Sequence, residues 1–120
     1  MIADDHEVVR SGLRLLLDAQ SDFEVIAEAG DAAEARRHVR GFKPSVLVLD
    51  LNMPGASSMD AILAIRGETP ETQVVVLTMQ SDPAVAREAL GAGAAGYVLK
   101  EAAGTELVEA VRRARSARPT

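Results

Sequence analysis

Polar side chains follow four of the short apolar runs in this sequence, and their types could do chemistry together. The first run ends at Asp4-Asp5, and three others end at Asp50, Thr78 and Lys100. In open parallel sheets, ligands bind outside the carboxyl ends of the strands, so strands that end on these residues would bring them to one edge. The spacing therefore predicts a site that combines three carboxylates, a hydroxyl and an ammonium group.

Carboxylates gathered at one edge would repel one another, and a divalent cation that prefers hard oxygen ligands, such as Mg²⁺, would relieve the repulsion. Asp5 and Asp50 could supply oxygens directly, Asp4 directly or through water, and the backbone carbonyl of Asn52 could complete the protein's share. Lys100 would neutralise an incoming anion. We therefore interpret Asp50 as a nucleophile held in position by the metal and the lysine for an in-line displacement at phosphorus.

Apolar runs that alternate with segments of helical period predict the elements that must position these side chains. Runs rich in Val and Ile predict five strands, at 1–3, 23–27, 46–49, 74–77 and 96–99. Apolar residues at three- and four-residue spacing predict five helices, at 8–19, 32–39, 59–65, 84–90 and 106–114. Three of the runs are apolar throughout, as in strands covered on both faces, so we expect an α/β fold with a parallel sheet.

Composition excludes several classes of protein. The 120 residues, 48% of them hydrophobic, predict one domain with a single core. The absence of cysteine excludes disulfides and thiolate metal sites, and no apolar run approaches the ~20 residues of a membrane span, so we expect a cytoplasmic protein. A net charge of −5 with three aromatic residues argues against direct binding of nucleic acid. Residues 117–120 are typical of the start of a linker.

The motifs ADDH, VLVLDLNMPG, VVVLTM, AGAAGYVLK and ELVEAVRRA resemble the receiver domain of bacterial two-component response regulators, of the NarL/FixJ (LuxR) type. The resemblance covers essentially the whole chain and implies a flavodoxin-like doubly wound sheet with strand order 2-1-3-4-5, in a receiver domain that spans 1–120. It also implies roles for individual residues. These are the phosphoacceptor Asp50, the acidic pair Asp4 and Asp5, the magnesium-binding carbonyl of Asn52, the phosphoryl-contacting hydroxyl of Thr78, its ionic partner Lys100 and the switch aromatic Tyr97.

By the same resemblance, the partner is a sensor histidine kinase that donates the phosphoryl group, and the domain is a switch rather than an enzyme with an external substrate. The family's usual output is a helix-turn-helix DNA-binding domain that controls transcription, and we expect none within this chain. The resemblance also allows for a homodimer on phosphorylation.

Each signal alone has a simpler explanation. An aspartate after a strand is usually a turn or cap residue, Thr78 could end a strand, and Lys100 could be a solvated charge. The joint spacing outweighs these explanations. A hydrolase of the haloacid dehalogenase type would need a second carboxylate where Asn52 stands, and a flavodoxin-like nucleotide or flavin binder would need a Gly-, Ser- or Thr-rich loop in place of Asp4-Asp5.

Other polar residues are expected to serve the surface. We interpret His6 and His38 as solvent-facing, and the basic clusters at 36–40 and 112–118 as polar helix faces with glutamates nearby.

Some positions depart from the family pattern. The first strand is short, so either upstream residues are missing or the strand is truncated. The loop at 56–61 lacks a glycine, and Ala103 stands where a capping Ser or Thr is common before the last helix.

Overall fold

A five-stranded parallel sheet, in the order β2-β1-β3-β4-β5, organises the computed structural model, which describes residues 1–53 and 57–117. The strands are β1 (Ile2–Ala3), β2 (Glu28–Ala29), β3 (Val46–Asp50), β4 (Gln73–Thr78) and β5 (Gly96–Leu99). The helices are α1 (Glu7–Asp18), α2 (Ala32–Phe42), α3 (Ser58–Glu68), α4 (Pro83–Gly91) and α5 (Ala103–Ser116). The predicted α/β class and strand order are confirmed.

Helices cover both faces of the sheet, which explains why the central runs are apolar throughout. Alternate residues of β3 and β4, such as Leu47 and Val76, enter a core beneath α2, α3 and α4. The residues between them, such as Val48 and Leu77, enter a second core beneath α1 and α5. Every residue of β3 and β4 is buried, so the carboxyl ends of these strands are fixed rigidly.

The predicted strand at 23–27 is wrong, because its neighbour is too short to pair with it. β1 pairs with β2 only through Ile2 and Ala3, opposite Glu28 and Ala29. The N–H of Phe23 instead donates to the Gln20 carbonyl, and a cavity of about 200 Å³ separates the 22–26 segment from the start of β3. Apart from the Ala27 carbonyl, which accepts from the Ile2 N–H, the 23–27 segment therefore has no paired strand beside it.

Side-chain caps start α2, α3 and α4, but not α1 or α5. The side chain of Asp82 accepts from the N–H of Ala84, with Pro83 at the first helical position. Before α5, a 3₁₀ turn at Lys100–Ala102 leads into the helix, and its N-cap is Ala102, which makes no side-chain cap bond. The position predicted as the cap, Ala103, is instead the first residue of the helix.

Some predictions concern residues outside the described ranges. The motif VLVLDLNMPG and the loop at 56–61 include residues from 54–56, and the predicted linker at 117–120 includes residues 118–120. Within the described ranges, no helix is both long enough and apolar enough to cross a membrane.

Candidate functional site

Three of the predicted site residues meet in an ion pair at the carboxyl edge of the sheet. Asp4 follows β1, Asp50 ends β3, and Lys100 follows β5. The Lys100 Nζ lies 3.0 Å from Asp50 Oδ2 and 3.3 Å from Asp4 Oδ2. Both carboxylates are fully buried, whereas the Lys100 side chain is 17% exposed. One ammonium group therefore serves two buried carboxylates that come from separate strands.

The loop after β3 fixes the orientation of the Asp50 carboxylate. The N–H of Asn52 donates to Asp50 Oδ1 at 2.9 Å, and the Ser58 hydroxyl donates to the Asp50 carbonyl at 3.1 Å. Burial raises the pKa of Asp50, and the charge of Asp4 adds to this effect, against the opposing effects of the Asn52 N–H and Lys100. The site thus holds a carboxylate whose charge is incompletely compensated.

Lys100 remains a cation despite its partial burial. Burial lowers the pKa of Lys100, but its contacts with the charges of Asp50 and Asp4 outweigh this effect and raise the pKa above its ordinary value. The ammonium group is therefore available to attract an anion.

Carboxylate oxygens of the site have few hydrogen-bond donors among the described residues. Asp4 Oδ2 and Asp50 Oδ2 are buried and share the Lys100 ammonium group, and the buried Asp5 Oδ1 accepts no hydrogen bond there. Buried acceptors without donors are costly, and hard oxygen ligands of this kind suit Mg²⁺. The donor set therefore fits the predicted cation, with the Asn52 carbonyl nearby in the chain.

Arg10, which the sequence analysis did not identify, anchors the acidic pair. Its guanidinium donates to the Asp4 carbonyl at 2.7 Å and to Glu28 Oε1 at 3.0 Å. These bonds tie the end of β1 to β2 through α1. The available signal was its position three residues before Leu13 and seven before Leu17, which places Arg10 on the apolar face of the helix.

The predicted switch residues are linked through Gln80, which the sequence analysis also missed. Thr78 is fully buried at the end of β4, and its Oγ1 accepts from the Gln80 N–H at 3.1 Å. The half-buried Tyr97 donates its hydroxyl proton to the Gln80 carbonyl. Thr78 thus forms a hydrogen bond with the loop rather than with the carboxylates. Tyr97 is connected to Thr78 through Gln80, which bonds to both.

A cleft of about 260 Å³ opens beside Thr78. Among the described residues it is lined by the two loops that follow β3 and β4, including Asn52, Ser57, Thr78 and Gln80. It gives this edge of the sheet an open approach from solvent.

The two histidines differ in exposure. His6 is 68% exposed, as predicted, but its Nδ1 lies 3.2 Å from Asp5 Oδ1. The prediction for His38 is wrong, because this side chain is half-buried and its Nδ1 lies 3.1 Å from the Glu28 carbonyl oxygen.

Both basic clusters pair with acidic residues distant in sequence, and the second also pairs with a nearby glutamate, since Arg113 Nε lies 3.3 Å from Glu109 Oε1. Arg36 and Arg40 pair with Glu68, and Arg112 and Arg115 pair with Asp22. These pairs support polar helix faces rather than a nucleic-acid surface. Residue 118, at the end of the second cluster, lies outside the described ranges.

Comparison with known proteins gives a match over nearly the whole chain. A family model described as the response regulator receiver domain matches residues 1–112. The oxygen regulatory protein NreC of Staphylococcus aureus (strain JH9) is 44% identical over 113 residues, which are 93% of this chain and 52% of that protein. The chain therefore spans about half the length of the curated relatives it matches.

Solved structures agree with this match. The signal receiver domain of the response regulator NarL from Mycobacterium tuberculosis superposes with a TM-score of 0.91 at 33% identity, over 98% of this chain and 94% of that one. A second similar structure is RcsB from Salmonella enterica serovar Typhimurium, bound to the promoter rprA in the presence of the phosphomimetic BeF₃⁻. It superposes with a TM-score of 0.85 at 32% identity, over 95% of each chain.

Proposed function

The chain belongs to the family of response regulator receiver domains, and we propose that it is a signalling switch controlled by phosphorylation of Asp50. The observation that carries this proposal is the buried Asp50 carboxylate, held 3.0 Å from Lys100 at the carboxyl edge of the sheet. Among the described residues, Asp4 and Asp50 are the two aspartates that are fully buried at a strand end and contact Lys100. Asp50 is the nearer, at 3.0 Å against 3.3 Å for Asp4.

In the proposed reaction, a carboxylate oxygen of Asp50 attacks the phosphorus of a phosphohistidine on a sensor histidine kinase. A phosphorus–oxygen bond forms as the phosphorus–nitrogen bond breaks, and the histidine leaves with the bonding electron pair. Lys100 stabilises the added negative charge. Attack of water on phosphorus later breaks the new bond and restores the carboxylate, so the only catalysis is on the domain's own acyl phosphate.

Mg²⁺ would be held by Asp5, Asp50 and the Asn52 carbonyl, with Asp4 in contact directly or through water. When bound, it offsets the negative charge of the carboxylates and the phosphoryl group. Two observations support this assignment: Asp4 and Asp50 share one lysine, and the buried Asp5 Oδ1 accepts no hydrogen bond from the described residues.

The phosphoacceptor is tested with acetyl phosphate and Mg²⁺, followed by intact-protein mass spectrometry. We expect one added phosphoryl group in the parent and none in Asp50→Asn, because an amide is not the required nucleophile. Asp31→Asn is the matched control, since Asp31 caps α2 in solvent and asparagine caps equally well. Equal labelling of the Asp50→Asn protein would overturn the assignment.

The metal is tested in the same assay. Removing Mg²⁺ with a chelator, or replacing Asp5 with Ala, should sharply reduce labelling, because the clustered charge would then repel the anionic donor. Labelling that persists unchanged without metal would contradict the cation site.

The proposed switch uses the hydrogen bonds among Thr78, Gln80 and Tyr97. Phosphorylation adds close to −2 of charge, which attracts the Thr78 hydroxyl away from the Gln80 N–H. The loop that carries the Gln80 carbonyl can then shift and release Tyr97, which turns inward. The face formed by α4, β5 and α5 changes shape as a result.

Tyr97 emission reports this step, because the chain has one tyrosine and no tryptophan. Beryllofluoride with Mg²⁺ should change its intensity or quencher access in the parent and in Thr78→Ser, which keeps the hydroxyl. Thr78→Ala should accept phosphate but give a much smaller change. An equal response in Thr78→Ala would exclude this route while leaving Asp50 as phosphoacceptor.

The output and partners are also part of the proposal. RcsB is described bound to a promoter with a phosphomimetic present, and this chain spans about half of NreC. We accordingly place the domain in the cytoplasm, upstream of a helix-turn-helix DNA-binding domain that regulates transcription, with dimerisation on phosphorylation.

A further inference from the structure

The backbone carbonyl that follows β1 is bonded by a side chain rather than by a neighbouring strand. The N–H of Asp4 donates to the Ala29 carbonyl at 3.0 Å, which continues the parallel ladder between β1 and β2. The next bond of such a ladder would bring the Asp31 N–H to the Asp4 carbonyl, but β2 ends at Ala29. Nη1 of Arg10, in α1, donates to this carbonyl instead, at 2.7 Å. Arg10 therefore supplies the donor that β2 does not.

A carboxylate on β2 fixes the direction of the Arg10 guanidinium. Glu28 accepts from Arg10 Nε through Oε1 at 3.0 Å, and from Arg14 Nη1 through Oε2. The side chains of Arg10 and Glu28 are 21% and 27% exposed, so both are partly shielded from solvent. A guanidinium is planar and its donors point in fixed directions, so the bond to Glu28 determines where Nη1 points. Glu28 therefore holds Arg10 in the orientation that reaches the Asp4 carbonyl.

The bonded carbonyl belongs to the peptide group that joins Asp4 to Asp5. A peptide group is planar, so holding its carbonyl also fixes the direction in which the chain enters Asp5. The buried Asp5 Oδ1 accepts no hydrogen bond from the described residues, so no such bond places this oxygen. The position of the Asp5 carboxylate therefore depends on the backbone that Arg10 holds.

We propose that Arg10 and Glu28 are positioning residues for the phosphorylation of Asp50. Arg10 fixes the peptide group between Asp4 and Asp5, and Glu28 orients Arg10. The inference rests on the proposed function, because it assumes that Asp5 takes part in that reaction, but it concerns two residues that supply no ligand and no reacting group. Loss of Arg10 lets the segment around Asp5 move while the phosphoacceptor stays in place.

Labelling with acetyl phosphate at a series of Mg²⁺ concentrations separates positioning from stability. Arg10→Met removes both donors, and the Mg²⁺ concentration that gives half the maximal labelling rate (the Mg²⁺ midpoint) should rise about tenfold, with a maximal rate within about threefold of the parent. A loss of folded protein alone would lower the maximal rate and leave the midpoint unchanged. Arg14→Met is the matched control, because Arg14 donates to the same Glu28 from the same helix but is 50% exposed. Its midpoint should stay within about twofold of the parent.

Amide hydrogen exchange of the metal-free proteins gives a readout that does not depend on labelling. The N–H groups of Asp4 and His6 form hydrogen bonds in this segment, to the Ala29 carbonyl and to Asp4 Oδ1. Arg10→Met should speed their exchange by about tenfold or more, while amides of β4 exchange as in the parent. Equal acceleration in β4 would show a global loss of stability and overturn the positioning role.

A double variant tests whether Glu28 acts through Arg10. Glu28→Ala should raise the Mg²⁺ midpoint by less than Arg10→Met does, and the double variant should match Arg10→Met. Additive shifts would overturn the role of Glu28. If the parent is labelled at Asp50 but Arg10→Met keeps the parent's midpoint, the role of Arg10 is overturned and the proposed function stands. A parent that takes no label overturns the proposed function and this inference together.

Discussion

Aspartates at two ends of the molecule lie in opposite electrostatic settings. At the carboxyl edge of the sheet, Asp4 and Asp50 are fully buried and share one lysine, and burial raises the pKa of Asp50. Near the amino edge, Asp22 is exposed, and hydrogen bonds from Arg112 and Arg115 hold its pKa well below its usual range.

The contrast separates two uses of the same side chain. The single carboxylate of Asp22 pairs with two arginines, so positive charge exceeds negative charge there. These ion pairs join α5 to the segment after α1. Asp50 and Asp4 share one lysine, so negative charge exceeds positive charge there. The excess negative charge lowers the stability of the fold and favours binding of a cation. A surplus of negative charge at a rigid strand end is the physical property expected of a site rather than of a structural ion pair.

Removing Lys100 should give the largest effect, because it leaves two buried carboxylates without their cation. Lys100→Met should lower the free energy of unfolding at neutral pH by about 3 kcal/mol, measured by urea denaturation. Lys43→Met is the matched control, since the chain's other lysine is exposed. The double variant Lys100→Met with Asp50→Asn should recover much of the loss, and no recovery would contradict the coupling.

Removing charge from the carboxylates should act in the opposite direction and less strongly. Asp50→Asn should raise the free energy of unfolding at neutral pH by about 1 kcal/mol, because Lys100 keeps Asp4 as a partner at 3.3 Å. Asp5→Ala should also stabilise the metal-free protein, but by less, since the Asp5 side chain is 22% exposed. A lower melting temperature of either variant would count against surplus negative charge at this edge.

The sequence predicts most of the sheet because β3, β4 and β5 carry their own signal. The runs of β3 and β4 are buried on both faces by helices, and β5 is partly buried. The 23–27 segment is also mostly apolar, but it needs a paired neighbour, and the length of β1 decides whether one exists. Pairing is a property of two segments, so no pattern within one of them reveals it.

The same distinction applies to the site. Asp4, Asp50 and Lys100 were predictable because parallel strands bring their carboxyl ends to one edge. Gln80 was not, because its role uses only its backbone N–H and carbonyl, which every residue type has. The pairing of Asp22 with Arg112 was not predictable either, because it joins residues 90 positions apart and depends on the packing of α5.

The pH dependence of stability should give the smallest effect and the sharpest contrast. A lowered pKa makes Asp22 stabilising above the unfolded-state value of about 4, and this contribution is lost as the pH falls below it. A raised pKa makes Asp50 destabilising once the pH rises above about 4, because the unfolded chain ionises first. Melting temperatures measured from acid to neutral pH should therefore place Asp22→Asn below the parent and Asp50→Asn above it at neutral pH. The Asp22→Asn difference should vanish mainly below about pH 4, whereas the Asp50→Asn difference should already shrink as the pH falls towards 4. If both variants departed from the parent in the same direction, the two aspartates would not occupy opposite settings.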